Sequence, residues 1–369
     1  MNTPAADGFR MPAEWAPHER TWMAWPGPNP TFDDPADLAE ARRAWAAVAR
    51  AVRRFEPVTM VCGPGEAREA RGLLGDGHGD GDGIVTVERD LDDAWMRDIG
   101  PTFLTNGRGE LAAVNWTFNG WGAQKWARWE HDAKIAAHVS ELAGSHRTYA
   151  SKLVNEGGAI HVDGEGTVLL TETVQLGPER NPGWTRGEVE SEIHAMLGTR
   201  KAIWLPRGLT GDYPPYGFGT LGHVDIVAAF ARPGVVVAHS QPDPAHPDHG
   251  VTEEVIGLLR SQTDARGRRL EVVEVPAPTV LEADGHWADY SYINHYLCNG
   301  GVVLCGFDDP RDEIAAGIFR RLFPERTVTP VDARTIFAGG GGIHCVTQQQ
   351  PRIRPQQQPK IRPQQQPRS

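Results

Sequence analysis

Cys345 is the residue of this sequence whose surroundings best suit nucleophilic chemistry. It follows the run Gly339-Gly-Gly-Gly342 and precedes Val346, so its backbone has few bulky neighbours and a substrate can approach closely. A lone cysteine is more often a small buried hydrophobic residue. The catalytic interpretation gains support from His223 in GHVD and Glu156 in EGG, because a nucleophile, a base and an orienting acid are what covalent catalysis uses.

Two further acids indicate the kind of substrate. Asp98 and Asp225 would form a pair of carboxylates without metal ligands around them, and a planar guanidinium fits such a pair because its N–H groups match two carboxylates. Trp95 and Trp121 are candidates for a stacking face beside that cation, although each tryptophan alone is more typical of core packing. Arg97 is the one basic residue that the motifs place beside the site, where it could receive a substrate carboxylate.

Three weaker patterns are interpreted as structural. The turn Gly63-Pro-Gly65 resembles a dinucleotide-binding loop but has Arg68 where the third glycine would stand, so we expect an ordinary strand-to-helix turn. The stretch 75–83, GDGHGDGDG, lacks the bidentate glutamate of a calcium loop. His246-Pro-Asp-His249 lies among prolines and is expected to be solvated. The sequence therefore predicts neither a metal nor another cofactor.

The composition excludes several classes of function. Lys and Arg number 37 against 48 Asp and Glu, which gives a net charge of −11. This balance argues against binding to nucleic acid or to an anionic membrane, while it allows a small cationic substrate. No stretch has the roughly 18–20 apolar residues of a membrane span, and the first residues do not resemble a signal peptide. We expect a cytoplasmic enzyme; a homodimer is allowed without being indicated.

Five segments have the periodicity and the end signals of helices. They are 35–55 (after Asp34 and before Pro57), a stretch near Trp126–Leu142, Arg186–Leu197, Thr252–Leu259, and a stretch from Asp309-Pro310 to Pro324. Short runs rich in Val and Ile between them predict strands at Val58–Cys62, Ile84–Val87, Thr167–Leu170, Val224–Phe230, Gly234–Ala238, Leu270–Val275 and Val302–Leu304. The chain is therefore expected to be mixed α/β.

A longer regularity suggests how these elements are arranged. Segments that combine a polar residue with glycine or a strand pattern recur at Arg97-Asp98, Glu156-Gly-Gly, Gly222–Asp225, Ser291–Asn294 and Gly342–Cys345. From Asp98 to Cys345 the spacing averages about 62 residues, a period typical of propellers and similar arrays. We expect a five-bladed α/β propeller with a central site. A doubly wound sheet is the alternative, because its strands and helices alternate in the same way.

The C-terminal end differs in composition from the rest. From Gln348 the sequence repeats Gln, Pro and Arg every eight residues, and such a segment cannot bury enough apolar surface to offset the entropy of ordering it. We expect one domain over residues 1–351 and a disordered tail over 352–369, with the first QQQP belonging to the domain.

Several long motifs resemble a known family. MPAEWAPHERTWMAWP (Met11–Pro26), DDAWMRDIGP (Asp92–Pro101), EGGAIHVDGEGT (Glu156–Thr167), GHVD (Gly222–Asp225) and GGGGIHCVTQQQP (Gly339–Pro351) are similar to motifs of the agmatine deiminases within the guanidino-modifying superfamily. The resemblance covers about residues 10–351. It implies a five-bladed propeller and hydrolysis of agmatine to N-carbamoylputrescine and ammonia, a step in putrescine and polyamine biosynthesis.

The resemblance also implies roles for individual residues. Cys345 would be the nucleophile, His223 the general acid and base, and Glu156 the residue that positions the histidine, while Asp98 and Asp225 would hold the guanidinium. The stretch YPPYGFGTLGHVD departs from the acidic run that is common in the family, and an asparagine precedes EGG. A peptidyl-arginine or free-arginine deiminase, an amidinotransferase and a non-catalytic guanidine-binding protein therefore stay open as alternatives.

Overall fold

The computed structural model of the protein describes residues 2–75, 83–215, 218–283 and 285–353. Most of the glycine-rich and aspartate-rich loop, 76–82, and the repeat tail from residue 354 onward lie outside the described residues. The strands are β1 (Phe9–Arg10), β2 (His18–Ala24), β3 (Val58–Cys62), β4 (Ile84–Glu88), β5 (Thr102–Asn106), β6 (Leu111–Thr117), β7 (Arg147–Val154), β8 (His161–Val162), β9 (Thr167–Thr171), β10 (Lys201–Leu205), β11 (Ala228–Arg232), β12 (Val235–Ser240), β13 (Glu271–Pro276), β14 (Glu282–Ala283), β15 (His286–Trp287), β16 (Tyr296–Cys298), β17 (Gly301–Gly306), β18 (Thr327–Asp332) and β19 (Gln348–Pro351). The helices are α1 (Pro35–Arg53), α2 (Ala67–Leu74), α3 (Met96–Ile99), α4 (Gly120–Ala123), α5 (Ile135–Leu142), α6 (Glu172–Gln175), α7 (Arg186–Leu197), α8 (Asp248–Ser261), α9 (Asp312–Leu322) and α10 (Arg334–Ala338). The fold is mixed α/β, as expected.

One unit recurs five times among the described residues. In each unit two strands pair antiparallel, and a third strand pairs in parallel with the second after a helical crossover, as parallel pairing requires. The units are β5-β6-β7 with α5, β8-β9-β10 with α7, β11-β12-β13 with α8, β16-β17-β18 with α9, and β19-β2-β3 with α1. The alternative of a single doubly wound sheet is therefore wrong for this part of the chain.

The fifth unit combines strands from opposite ends of the sequence. β19 pairs antiparallel with β2, with Gln348 opposite Trp22, and the indole of Trp22 donates a hydrogen bond to the side chain of Gln350 at 3.0 Å. The first QQQP copy thus belongs to the folded body, as expected. The domain boundary at residue 351 stays a prediction, because the later copies lie outside the described residues.

The helix predictions are confirmed where capping signals are strong. α7 begins after Thr185, which forms a capping box with Glu188, and ends at Gly198 with a φ of +68°. The helix expected near Trp126–Leu142 is shorter than predicted, since α5 covers only its second half after a turn of 3₁₀ helix at Asp132–Lys134. Trp126 instead stacks on Trp121, with ring centroids 5.4 Å apart.

The predicted strand Val224–Phe230 is wrong in its first half. Val224–Ile226 forms a turn of 3₁₀ helix, and β11 begins at Ala228. The cause is a set of side-chain hydrogen bonds that compete with strand pairing: the carbonyl of Asp225 accepts from Asn294 at 3.3 Å, and that of Ile226 accepts from Ser291 at 2.7 Å. No helix within the described ranges is long and apolar enough to cross a membrane.

Candidate active site

Five short turns supply the candidate site, and each directly precedes the first strand of one of the five units. They are α3 and the turns at 157–159, 224–226, 292–294 and 343–346. Hydrogen bonds join the five turns in a closed ring: Gly158 N–H to Asp98 (3.0 Å), His223 to Glu156 (3.3 Å), the Asn294 amide to the Asp225 carbonyl (3.3 Å), His344 N–H to the Asn294 carbonyl (3.2 Å) and Arg97 N–H to the Cys345 carbonyl (3.0 Å). The segments singled out from the sequence therefore do meet.

Cys345 lies in the turn before β19 and is 2% exposed. Its Sγ is 3.3 Å from Nδ2 of Asn294 and 3.7 Å from Oδ2 of Asp225. Burial, together with the carboxylates of Asp225 and Asp98, raises the pKa of the thiol well above its ordinary value. A Cβ on Gly341 would come within 3.0 Å of Sγ, so glycine there keeps the sulfur accessible from one side, as the sequence suggested.

His223 is fully buried and is oriented by Glu156, which itself pairs with Arg180. Its Nε2 lies 3.3 Å from Oε2 of Glu156, and Glu156 in turn accepts from Nε of Arg180 at 3.0 and 3.1 Å. Burial lowers the pKa of His223, but the carboxylates of Asp98, Glu156 and Asp225 outweigh it and raise the pKa to about 9. The imidazole is therefore protonated at neutral pH and can act as a general acid.

The two predicted guanidinium-binding acids lie close together, because a Cβ on Gly158 would be 3.0 Å from a carboxylate oxygen of each. Asp98 accepts from the indole of Trp121 at 2.9 Å and from the N–H of Gly158 at 3.0 Å. In Asp225, Oδ2 accepts from Nδ1 of His344 at 2.7 Å, while Oδ1 is buried without a hydrogen-bond partner. Nδ1 of His223 is likewise buried without a partner, 3.8 Å from Asp98. Unpaired buried polar atoms are uncommon and suggest a ligand.

Aromatic side chains wall the pocket beside these groups. Trp95, Trp121, Trp126 and Phe218 line a narrow pocket that also borders Asp98 and Cys345. Trp121 has a φ of +56°, a left-handed conformation that is costly for a bulky residue and that accompanies its hydrogen bond to Asp98. The predicted walls Trp95 and Trp121 are therefore at the pocket, and both also pack in the hydrophobic core.

Of the predicted site residues, Arg97 is the one whose guanidinium does not line the pocket beside Cys345. Its backbone contacts Cys345, but its guanidinium donates to Oε1 of Gln349 at 2.7 Å and to the carbonyl of His344 at 3.3 Å. It lines a second, smaller cavity with Glu14 and His161. No Lys or Arg side chain is among the described residues that line the pocket beside Cys345.

Four residues of the site were not singled out as site residues from the sequence. Asn294 touches Sγ of Cys345, Arg180 pairs with Glu156, and His344 bridges Asp225 and Glu14. Asn294 and His344 stand in two of the five recurring segments and Glu14 in the motif MPAEW, so their positions carried a signal. Arg180 follows α6 in a loop, where nothing local distinguishes it from a solvated arginine.

Glu14, His161 and His344 form the group of described residues whose spacing could hold a metal ion. Their hydrogen bonds disfavour that use. Nε2 of His344 lies 2.8 Å from Oε2 of Glu14, and Nδ1 of His161 accepts the N–H of Phe230 at 3.2 Å, which places the proton of a neutral His161 on Nε2, the nitrogen that faces Glu14. Arg97 in the same cavity adds a positive charge that opposes a cation.

The weaker sequence patterns that are described take part in local structure. Gly63 begins the turn between β3 and α2, and its N–H donates to Glu66 at 3.2 Å; a carboxylate in that place would repel a pyrophosphate. The expectation that His246-Pro-Asp-His249 is solvated is wrong for His246, which is buried because it packs edge-on against Trp287 with ring centroids 4.7 Å apart. Nδ1 of His249 bonds to the carbonyl of Gln241 at 2.8 Å.

Comparison with known proteins extends these observations over nearly the whole chain. An agmatine deiminase of Pseudomonas aeruginosa LESB58 is 40% identical over 96% of this chain and 98% of its own length. A Streptomyces avermitilis protein with the provisional name agmatine deiminase is 85% identical over 95% of this chain and 100% of its own length. The solved structure of the Enterococcus faecalis agmatine deiminase superposes with a TM-score of 0.87 at 32% identity and covers 95% of this chain and 98% of that one. The model of the Porphyromonas-type peptidyl-arginine deiminase family matches residues 10–351, the span that contains all five turns, and the chain belongs to this family.

Proposed function

We propose that this protein is an agmatine deiminase, which hydrolyses agmatine to N-carbamoylputrescine and ammonia and so contributes to putrescine biosynthesis. The observation that carries the proposal is the convergence of one thiol, one imidazole and two carboxylates: Sγ of Cys345 is 3.7 Å from Asp225, and His223 is 3.8 Å from Asp98. The relatives named agmatine deiminase support the choice of substrate.

The carboxylates bind and polarise the substrate in this mechanism. Asp98 and the free oxygen of Asp225 accept N–H bonds from the guanidinium, which fixes its carbon near Sγ and draws its charge away from that carbon. The substrate's positive charge beside the thiol lowers the thiol pKa, because an opposite charge favours the ionised form. The thiol proton passes to solvent, the Cys345 thiolate attacks the guanidinium carbon, and an S–C bond forms.

His223 handles both proton transfers. The imidazolium gives its proton to the departing nitrogen, the C–N bond breaks, and ammonia leaves a covalent amidino-thioether on Cys345. The neutral imidazole next takes a proton from water, whose oxygen attacks the same carbon. The S–C bond breaks, the remaining hydroxyl proton passes to solvent, and the ureido product leaves with the thiolate and the imidazolium restored. Glu156 orients His223 throughout, itself held by Arg180.

The pocket favours agmatine over arginine. Arginine carries an α-carboxylate, and the described residues that line the pocket include no cation to receive it. The guanidinium of Arg97, the candidate for that role, is engaged by Gln349 and the His344 carbonyl. Burying an unpaired carboxylate near Asp98 would be unfavourable by about 3 kcal/mol, which corresponds to roughly a hundredfold in kcat/KM.

We also propose the five-bladed arrangement for the whole fold. Its support is the recurrence of one hairpin-helix-strand unit in five sheets and the ring of hydrogen bonds that joins the turn before each unit. In this proposal the domain spans residues 1–351 and ends after the first QQQP copy.

A product assay tests the proposed reaction. Purified protein is incubated with agmatine, with arginine and with a peptide that ends in arginine, and ammonia and ureido compounds are measured. We expect both products from agmatine at a kcat/KM about a hundred times that for arginine. Equal or greater activity on arginine would overturn the substrate assignment, whereas no ureido product from any of the three would overturn the reaction.

A further inference from the structure

His344, the neighbour of the nucleophile in sequence, lies between two buried carboxylates. Its Nδ1 is 2.7 Å from Oδ2 of Asp225 and its Nε2 is 2.8 Å from Oε2 of Glu14. All three side chains are at most 5% exposed. Asp225 lies 3.7 Å from Sγ of Cys345, whereas Glu14 lines the second cavity, so the imidazole connects the two.

The two partners require the charged form of the ring. A neutral imidazole carries one N–H and could donate to only one carboxylate, whereas the imidazolium donates to both. The pKa shifts agree: burial raises the pKa values of Glu14 and Asp225, but contacts with His344 lower both overall. Burial and Arg97 lower the pKa of His344, and Glu14 and Asp225 outweigh them and raise it.

This arrangement leaves one half of Asp225 for the substrate. Oδ2 is occupied by His344, and Oδ1 has no partner. We propose that His344 is a positioning residue: its imidazolium, anchored by Glu14, holds Asp225 ionised and turned so that the free oxygen faces the guanidinium. This inference rests on the function proposed above and adds Glu14 and His344 to the residues that determine cation affinity.

Other ionisable groups face the pair, and all of them except Cys345 in the parent and His161 in one control variant stay unchanged in the experiment. Those around His344 and Asp225 are Arg97 from α3, His161 from β8, His295 before β16, His223 and Asp98 from neighbouring turns, and the thiols of Cys305 and Cys345. Of these, Asp98 also titrates on the acid side of the binding profile, so only the difference between matched variants isolates Asp225.

The test measures agmatine binding without turnover. Full-length Cys345→Ala is the parent, and its affinity for agmatine is measured by titration calorimetry from pH 5.5 to 9. In the parent that also carries His344→Asn, the amide can still donate a neutral hydrogen bond to Asp225, but the positive charge is gone. We expect the midpoint of the acid limb of Asp225 to rise by about three pH units or more, because the carboxyl stays buried but loses the charge that keeps it ionised. Affinity at pH 6 should then be about tenfold below the parent's and recover to within about threefold at pH 9.

Two further variants keep the result interpretable. His161→Asn in the same parent removes an imidazole from the same cavity without touching Asp225, and its acid limb should match the parent's. His344→Gln, whose amide reaches towards Glu14 instead of Asp225, should shift the midpoint at least as far as His344→Asn.

The outcomes separate the two proposals. An unshifted midpoint in both folded His344 variants, or an equal loss of affinity at every pH, would overturn the positioning role. A parent that binds no agmatine at any pH, with His344 intact and thermal unfolding like that of the wild type, would instead count against the proposed function.

Discussion

Sγ of Cys345 lies 3.7 Å from a carboxylate oxygen of Asp225, a neighbour that disfavours the thiolate because like charges repel. A bound guanidinium places a positive charge beside Sγ and makes ionisation of the thiol favourable. The substrate's own charge is therefore part of the activation of the nucleophile. Alkylating reagents that are uncharged should react slowly with Cys345 for the same reason, since they bring no cation with them.

The pH dependence of activity follows from the ionisation of His223 and Cys345. Burial lowers the pKa of His223, but Asp98, Glu156 and Asp225 raise it to about 9, and burial raises the pKa of Cys345 well above its ordinary value. Below pH 9 the imidazolium is present and the thiolate is scarce, so kcat/KM for agmatine should rise with pH. Above about pH 9 kcat/KM should level off, because the fraction of protonated His223 then falls by the same factor as the fraction of ionised Cys345 rises. Initial rates from pH 6 to 10.5 check this, and a maximum below pH 7 would contradict it.

Replacement of the nucleophile gives a second expectation. Cys345→Ser is nearly isosteric but cannot form an equivalent anion, so turnover should fall by at least about 10³-fold while the unfolding temperature changes little. Mass spectrometry of wild-type protein quenched during turnover should find an amidino adduct on the peptide that contains Cys345. Full activity in the serine variant would exclude the covalent mechanism.

Gly158, in the turn at 157–159, leaves space between the site residues because it has no side chain. A Cβ on Gly158 would lie 2.5 Å from Nδ1 of His223 and 3.0 Å from carboxylate oxygens of both Asp98 and Asp225. Gly158→Ala should therefore lower kcat/KM by at least about a hundredfold, because displacements of about 1 Å in a catalytic set have effects of that size. Gly187→Ala in α7 is the matched control, since a Cβ there meets nothing within 4 Å and should be neutral or stabilise the helix by about 1 kcal/mol. Equal activities of the two variants would contradict the assignment of this space to the substrate.

The effect of a C-terminal truncation should depend on whether the shortened chain keeps β19. A chain that ends at Ile353 keeps the pairing of β19 with β2 and the bond from Arg97 to Gln349, so its activity and unfolding temperature should equal those of the full chain. A chain that ends at Thr347 loses several buried hydrogen bonds of roughly 1 kcal/mol each and should lose at least about 3 kcal/mol of stability. Denaturant unfolding of the two chains measures this, and equal midpoints would show that β19 is dispensable.

Local signals made some elements predictable from the sequence. α7 has both a capping box and a terminal glycine, and β3, buried along its whole length, consists of β-branched and apolar residues. Both are properties of neighbouring residues, so sequence alone suffices. β19 was recognised only as belonging to the domain, because QQQP has no strand pattern of its own and its conformation depends on β2 more than 300 residues away.

The sequence predicts which residues form the candidate site better than it predicts where their side chains point. Cys345, His223, Glu156, Asp98 and Asp225 all converge, since the recurring segments that carry them are the turns of the five units. The side chain of Arg97 points away because Gln349, on a strand from the other end of the chain, accepts its N–H. Glu14 and His344 gain their importance from a bond between residues 330 positions apart, which no local pattern reveals.

The charge of the whole protein should influence how fast substrate arrives. With a net charge of −11, the protein attracts agmatine, a dication, over distances comparable to the Debye length of about 10 Å at 0.1 M salt. Raising the ionic strength from 20 to 300 mM should therefore lower kcat/KM by about two- to fivefold with little change in kcat. Stopped-time assays at several salt concentrations test this expectation. A kcat/KM independent of salt would mean that the local pocket acids alone govern capture.

The pairing of β19 with β2 has a consequence for synthesis on the ribosome. Trp22 and its hydrogen-bond partner Gln350 are 328 residues apart, and at roughly 5–20 residues per second the ribosome needs about 15–65 s to make that stretch. Throughout this time the nascent chain presents an open edge on β2, the kind of edge that recruits foreign strands. Cys345 emerges just before the strand that covers this edge, so the chain acquires its nucleophile and its last protective pairing almost together.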